Sequence, residues 1–166
     1  MKIAGIEIND HDVPLWAMAA SAVALLTALA SQYLGGLAPC KLCLWQRIPH
    51  GVVLVLGVGA LLWFRGPRER LLLTWAAAIA FAFGAGLALY HVGVEQKWWQ
   101  GPDTCTSSST DGLSVDQLLD QIMTAPLVRC DEIAWSLMGI SMAGWNAIVS
   151  FALAFLWVTA FKRSKA

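Results

Sequence analysis

The fold of this 166-residue chain is decided by the stretch VPLWAMAASAVALLTALASQYL, residues 13–34, which contains no Lys, Arg, Asp or Glu. At a rise of about 1.5 Å per residue, a helix of this length crosses a hydrocarbon core about 30 Å thick. Residues 48–64, 71–91 and 143–161 form three similar stretches, which also lack those four residue types. Because lipid offers the backbone no hydrogen bonds and the apolar residues do not alternate strictly, the sequence predicts membrane-spanning helices and not a β-barrel.

The composition agrees with a chain whose solvent is mostly lipid. Apolar residues make up 58% of the sequence and charged residues 13%, about half the charged share of an average soluble domain. The formal net charge is zero, which excludes a basic nucleic-acid-binding surface and predicts no nucleic-acid partner. We therefore expect an all-α membrane protein, a four-transmembrane-helix bundle that forms a single integral domain over residues 1–166.

The basic residues are divided unequally between the segments that connect the predicted spans. Segments 1–12, 65–70 and 162–166 hold seven of the eleven Lys and Arg residues, whereas the much longer segments 35–47 and 92–142 hold four. Short loops rich in Lys and Arg stay on the cytoplasmic side of a membrane. This distribution predicts that both termini lie inside, with outer loops at 35–47 and 92–142.

All four cysteines, Cys40, Cys43, Cys105 and Cys130, lie in the two predicted outer loops. Disulfides persist on the oxidising side of a membrane, so this placement indicates cysteines that are paired or redox-active. The first two form a C-x-x-C, whose short spacing favours an exchangeable bridge. The alternative is a zinc knuckle, but such a site normally needs a second Cys/His pair at short spacing, and we expect redox chemistry and no metal.

Arg47 follows Cys43 by four residues, which is one helical turn. A thiol at a helix N-terminus has a lowered pKa, and a guanidinium on the same face would lower it further. Pro49 qualifies this interpretation, because a helix that had already begun would lose a backbone hydrogen bond there.

The second cysteine pair, Cys105 and Cys130, is separated by 24 residues. Alone, this spacing favours a structural disulfide, which would stabilise the loop by about 3 to 4 kcal/mol; beside a C-x-x-C, exchange between the pairs becomes the alternative. Between the two cysteines, Ser114 and Gln117 form a capping box ahead of apolar residues at helical spacing. This pattern predicts a short amphipathic interfacial helix, which either lies flat on the outer membrane surface or packs on the bundle.

His91 and Glu95 lie one turn apart where the third predicted span ends. Ionisable groups at that depth are candidates for a functional site, and a hydrogen-bonded interfacial histidine is the alternative.

These residues resemble the DsbB family of quinone-dependent thiol oxidoreductases of bacterial inner membranes. The likeness covers nearly the whole chain, including the span count, the loop lengths and the cysteine order. Its motifs are Pro-Cys-Lys-Leu-Cys followed by Gln46-Arg47, the run from His91 to Glu95 ahead of Trp99-Gln-Gly-Pro102, and Cys130 ahead of Trp135 and Trp145-Asn146. The vitamin K epoxide reductases are similar in architecture but place the loop cysteines before the C-x-x-C, whereas here the C-x-x-C comes first.

The resemblance implies a relay of disulfides. Cys43 would be the thiolate next to the quinone and Cys40 its partner, and together they would form a disulfide while reducing ubiquinone or menaquinone. Cys105 would form a mixed disulfide with a soluble, DsbA-like thioredoxin-fold oxidase, and Cys130 would exchange with the first pair. Arg47 matches the arginine associated with quinone binding, and His91 is carried over by its position near the quinone pocket. The acidic residue often seen before that arginine is Gln46 here.

The resemblance also implies the location and the partners of the chain. It would be a multi-pass protein of the bacterial inner membrane, in contact with lipid and the quinone pool, with its termini cytoplasmic and its cysteine loops periplasmic. Two other hypotheses stay open from the residues: a four-span metal-binding protein that uses Cys40, Cys43 and nearby histidines, and a structural membrane protein whose disulfides only hold its outer loops.

Overall fold

A computed structural model describes residues 2–3, 6–7, 13–62, 66–102, 114, 116 and 128–164. Its long helices are α1 (Val13–Tyr33), α2 (Lys41–Leu62), α3 (Pro67–Glu95) and α4 (Met142–Ser164). Two short antiparallel hairpins accompany them: β1 (Lys2–Ile3) with β2 (Ile6–Glu7), and β3 (Ser136–Leu137) with β4 (Ile140–Ser141). Each of the four helices is long and apolar enough to cross a membrane. The predicted all-α, four-helix membrane fold is therefore confirmed.

Helix α3 occupies the centre of the bundle. It packs along both α2 and α4, while α1 packs mainly against α2. Phe81 of α3 is fully buried among small and branched side chains of the other helices, and its ring meets the edge of Trp157 with centroids 6.5 Å apart. Small residues such as Ala77 and Ala78 let the helices approach closely there, as is usual where lipid gives helices no hydrophobic reason to associate.

The outer surface of the bundle is strongly apolar. Large hydrophobic side chains on all four helices point away from the core, among them Leu26, Val55, Phe83 and Phe155. In water such a surface would drive aggregation, whereas in a bilayer it faces acyl chains. The burial pattern thus agrees with a membrane-embedded bundle.

Helix α2 begins at Lys41, seven residues before the start of the predicted span 48–64. Gln46 and Arg47, whose polarity set the predicted boundary, form hydrogen bonds to neighbouring helices. Because such partners remove the cost of burying polar groups, the helix extends through this polar stretch. The third helix likewise runs past residue 91 to Glu95.

Pro49 lies inside α2 without ending it. The helix continues because α3 supports the site closely: at Gly84, a β-carbon would lie only 3.2 Å from Cβ of Pro49. Because α2 is continuous through Pro49, Cys43 and Arg47 lie one turn apart on the same helix, as their spacing in the sequence predicts.

Hairpin β3–β4 directly precedes α4 in the chain. Its turn residues Met138 and Gly139 both have positive φ, at 54° and 77°, as a tight two-residue hairpin turn requires. Ser141 then caps α4, because its Oγ accepts the backbone N–H of Gly144 at 3.1 Å. Of the predicted amphipathic helix, the structure describes only Ser114 and Asp116, both exposed, so that prediction lies outside the described residues.

Candidate active site

Cys40 is the N-terminal cap of α2. Its carbonyl oxygen accepts the backbone N–H of Leu44 at 3.1 Å, and its Sγ accepts the backbone N–H of Cys43 at 3.2 Å. Side chains at this position satisfy backbone donors that the helix leaves unpaired. The prediction of a thiol activated by a helix N-terminus therefore applies to Cys40 more directly than to Cys43.

The two sulfur atoms of the C-x-x-C lie 3.0 Å apart as free thiols. The hydrogen bond from Cys43 is the largest cause that lowers the pKa of Cys40, to about 4. His91 and the Cys43 backbone lower it further, while burial acts in the opposite direction. Cys40 is thus a thiolate at neutral pH, and it is buried.

A stabilised thiolate has a consequence for redox chemistry. Hydrogen bonds and charges that favour the thiolate stabilise the reduced dithiol over the disulfide, which makes the disulfide a stronger oxidant. A Cys40–Cys43 disulfide in this environment would therefore readily oxidise another dithiol.

His91 places a ring nitrogen against the thiol pair. Its Nε2 lies 3.6 Å from Cys40 Sγ and 4.0 Å from Glu95 Oε1, and the backbone of Cys130 also hydrogen-bonds to the ring. Glu95 is held in turn by Ser141, whose Oγ donates to Oε2 of Glu95. The predicted adjacency of His91 and Glu95 is present, and both side chains are buried.

Behind His91, a chain of polar side chains runs into the bundle. Gln46 bonds to Nδ1 of His91 at 2.7 Å, and its Oε1 accepts the Asn146 amide, also at 2.7 Å. Oδ1 of Asn146 lies 3.1 Å from Nε2 of His50 and accepts from Ser150 at 3.4 Å. We call these residues the amide chain: His91, Gln46, Asn146 and His50. The sequence assigned no role to Gln46, Asn146 or His50; the available signals were the polarity of His50 and Asn146 inside apolar spans and the family motifs that contain Gln46 and Asn146.

Arg47 turns towards α1 and not into the thiol pair. Its guanidinium donates to Gln32 Oε1 at 2.8 Å and to the carbonyl oxygen of Ala28 at 3.4 Å, both near the C-terminal end of α1. A cation is favoured at that end of a helix. The hydrogen bonds of Arg47 thus go to neutral oxygen atoms.

Cys130 belongs to the same buried cluster as Cys40, together with Leu42 and Val94. Cys130 is part of a disulfide bond, whereas Cys40 and Cys43 carry free thiols. The structure therefore brings three of the four predicted catalytic cysteines to one end of the bundle, while Cys105 lies outside the described residues.

An exposed ion pair flanks Cys130. Arg129 donates from two nitrogen atoms to the two carboxylate oxygens of Asp131, at 2.9 and 2.7 Å, and this hydrogen bonding holds the pKa of Asp131 below its ordinary value. Such a pair contributes little to stability in water. Its effect is to fix the orientation of the turn that carries Cys130.

The ligand atoms of Cys40, Cys43 and His91 all lie within 4.8 Å of one another, close enough to surround a metal ion. The orientation of the Gln46 amide favours a role for His91 in hydrogen bonding over one in metal binding. Its oxygen is engaged by Asn146, so its NH₂ group faces His91 Nδ1, and a neutral ring then carries its proton on Nε2. A nitrogen that bears a proton has no lone pair for a metal, so the geometry favours hydrogen bonding to the thiolate.

Comparison with known families agrees with this site. A family described as "Disulfide bond formation protein DsbB" matches residues 11–160. The chain belongs to the DsbB family. The match covers α1, α2 and α3 completely and α4 as far as residue 160, and it includes all four cysteines, the amide chain and Arg47. The predicted family is therefore confirmed.

Several relatives with similar names match most of the chain. The disulfide bond formation protein B of Aeromonas salmonicida is 33% identical over 162 residues, which cover 92% of this chain and 90% of that protein. Disulfide bond formation protein B of Dechloromonas aromatica is 33% identical over 129 residues, 73% of each chain, and disulfide bond formation protein B 2 of Pseudomonas aeruginosa is 34% identical over 137 residues, 78% of each. No solved structure matches the chain.

Family membership and the four apolar helices together identify a multi-pass protein of the bacterial inner membrane. Its role is disulfide bond formation, and the free and bonded cysteines at one end of the bundle agree with a disulfide oxidoreductase.

The thiolate at Cys40 gives a prediction for pH dependence. In the reduced protein, thiolate absorbance should persist in acid and disappear only as the pH falls through about 4. Cys43→Ala removes the largest stabilising hydrogen bond, so the transition should move to higher pH, whereas Cys43→Ser keeps a hydroxyl donor and should move it less. Ultraviolet titration in detergent measures this; equal titration curves for the two variants would contradict the account.

The same shift predicts how stability varies with pH. The folded-state pKa of Cys40 lies below its ordinary value of 9.0. Its contribution to the stability of the reduced protein is therefore complete above about pH 9 and is lost as the pH falls towards about 4. Thermal unfolding should show this loss in reduced wild-type protein, and Cys40→Ser should lack this part of the pH dependence.

Proposed function

We propose that this chain generates disulfides by passing electrons from thiols to a membrane quinone, and that it thereby reoxidises a soluble, DsbA-like thioredoxin-fold oxidase. Cys40 and Cys43 form the pair that delivers electrons to quinone. Cys105 and Cys130 form the pair that accepts electrons from the soluble partner. The observation that carries the proposal is that the buried, free Cys40 shares one cluster with the disulfide-bonded Cys130, while the half-buried, free Cys43 packs against that cluster.

The relay balances as two disulfide exchanges. A thiolate of the soluble partner attacks Cys105 and releases Cys130 as a thiolate, and the second partner thiol then displaces Cys105, so the partner gains a disulfide. The Cys105–Cys130 dithiol is reoxidised by a Cys40–Cys43 disulfide, which becomes a dithiol in turn. Each exchange moves two electrons and conserves the number of disulfides. The net gain of one disulfide requires an acceptor of two electrons and two protons.

A quinone supplies that acceptor when it is bound. Within this chain, Arg47 has the chemistry to hold it, because its guanidinium hydrogen-bonds to the oxygens of Gln32 and Ala28, which are neutral and do not offset its positive charge. A charge of this kind inside a membrane span is costly unless it serves an anionic or strongly polar group. Arg47 lies one turn after Cys43 on α2, which supports Cys43 as the sulfur nearer to quinone.

Two residues of α3 serve the thiol pair in this proposal. His91 presents Nε2 to the Cys40 sulfur and holds the thiolate in place. Glu95, with its oxygen 4.0 Å from the same nitrogen, is a carboxylate that can hold a proton beside the site. The quinone that accepts the two electrons is ubiquinone or menaquinone.

The orientation follows from the charges of the connecting segments. We place both termini in the cytoplasm and the cysteine loops in the periplasm, since basic residues concentrate in segments 1–12, 65–70 and 162–166. This orientation puts all four cysteines on the oxidising side, where the soluble partner is found.

The direct test is turnover by purified protein. In detergent with ubiquinone, the wild-type chain should oxidise the dithiol of a thioredoxin-fold oxidase, and Cys43→Ser should abolish this because the inner pair can no longer form a disulfide. Loss of partner thiols and reduction of quinone should be recorded together. Unchanged quinone-dependent turnover in Cys43→Ser would refute the proposal.

A second test separates quinone binding from thiol exchange. Arg47→Ala should raise the KM for quinone by about tenfold or more, since a hydrogen bond to a charged group is worth about 1.5 to 3 kcal/mol. The exchange with the soluble partner should change far less. Arg68→Ala, which removes an exposed arginine at the opposite end of the bundle, is the matched control. Equal losses in both steps for Arg47→Ala would assign Arg47 a structural role.

A further inference from the structure

The hydrogen bonds of the amide chain run in one direction, from donor to acceptor, and the residues at both ends of the chain determine that direction. Each amide in it donates through nitrogen and accepts through oxygen, so reversing one amide forces its neighbour to reverse as well. In the structure, Asn146 donates to Gln46, and Gln46 donates to Nδ1 of His91. The direction therefore decides which ring nitrogen of each histidine carries the proton.

At the inner end, His50 selects this direction. Its Nε2 faces Oδ1 of Asn146 and donates to it, while its Nδ1 is buried without a hydrogen-bond partner among the described residues. In the reverse direction Nδ1 would carry the proton and become a buried, unpaired donor. Orphaned buried N–H groups are rarer than unpaired acceptors because they are costly. His50 thus favours the direction in which Asn146 accepts from it.

At the outer end, the surroundings of His91 favour the same direction. The Cys40 sulfur, a Glu95 oxygen and the backbone of Cys130 all interact with the ring. Sulfur as thiolate and oxygen as carboxylate are acceptors, so the nitrogen that faces them is stabilised when it carries a proton. In the reverse direction a lone pair would face these two negative groups.

Asn146 is the link between the two ends. It lies on α4, whereas Gln46 and His50 lie on α2 and His91 on α3, so that three helices meet through its amide. We propose that Asn146 is a positioning residue that, through the Gln46 amide, holds His91 with its Nε2 proton directed at the Cys40 sulfur. Asn146 itself does not touch the cysteine pair; it acts through the two residues between them.

This inference concerns the thiol pair on which the proposed function rests, but its test does not require quinone turnover. The titratable groups that act on Cys40 are Cys43 on α2 and His91 and Glu95 on α3. Asn146 and Gln46 carry no charge, so they act on Cys40 through the orientation of these groups and through the burial of the site, and not through a charge of their own.

The first experiment determines the tautomers of His91 and His50 in the wild-type protein. In wild-type protein labelled with nitrogen-15 histidine, His91 and His50 should each show a protonated Nε2 and an unprotonated Nδ1. His91→Ala and His50→Ala serve only to assign the signals. A proton on Nδ1 of His91 in the neutral ring would overturn the proposal.

The second experiment measures the titration of the Cys40 thiolate. Asn146→Leu is close in size and removes the hydrogen bonds to Gln46, His50 and Ser150, so Gln46 loses its fixed orientation and the Cys40 thiolate loses a donor. At the midpoint pH of the wild-type titration, the ratio of thiolate to thiol at Cys40 should fall about tenfold, the value of one hydrogen bond to a charged group. Ser150→Ala is the matched control, since the Ser150 hydroxyl donates to the oxygen of Asn146 at 3.4 Å, one turn along α4, on the side of Asn146 away from the bond to Gln46, and its loss should leave the titration unchanged.

A double substitution tests the route of the effect. If Asn146 acts through Gln46, Gln46→Leu should shift the titration at least as far as Asn146→Leu, and the double variant should match Gln46→Leu alone. Additive shifts, or an unshifted titration in folded Asn146→Leu, would contradict the proposal. If quinone turnover fails in wild-type protein while these titrations behave as expected, the proposed function is wrong and the positioning role stands.

Discussion

Polar side chains inside a lipid-facing bundle must satisfy one another, and this constraint organises the structure. His91, Gln46, Asn146 and His50 form a continuous hydrogen-bonded chain across α2, α3 and α4. Unpaired, each of these groups would cost several kcal/mol in a hydrocarbon environment. Because each residue depends on its neighbours, the chain holds the three helices in one register, and the position of His91 beside the thiol pair follows from that register.

The same constraint explains where the reactive sulfur lies. Cys40 caps α2 at the end of the bundle, where backbone N–H groups are unpaired and a negative charge is favoured. The His91 ring approaches from the side, and the cluster with Cys130 excludes solvent. A thiolate that is buried yet well hydrogen-bonded belongs to a strongly oxidising pair. A protein that must pass disulfides onward, as expected in the DsbB family, needs this property.

The sequence predicted the four helices, the family and the adjacency of His91 and Glu95, because apolar length and helical spacing are local properties. It placed the start of the second span at residue 48, since Gln46 and Arg47 read as loop residues until their partners on other helices are known. The contact between Gln46 and Asn146 joins residues 100 positions apart, which spacing alone cannot reveal. The activated sulfur was expected at Cys43 because the sequence does not show where α2 begins; the helix starts at Lys41, so the capping contacts fall on Cys40.

Thiol trapping in living cells tests the central claim, the flow of electrons from protein thiols to quinone, most directly. Cells that make this chain are starved of quinone and acid-quenched, and free thiols are then alkylated with a reagent that adds mass for each cysteine. The account predicts that the four cysteines accumulate in the reduced form and return to disulfides when quinone is restored. Cysteines that stay oxidised without quinone would contradict it and would indicate purely structural disulfides.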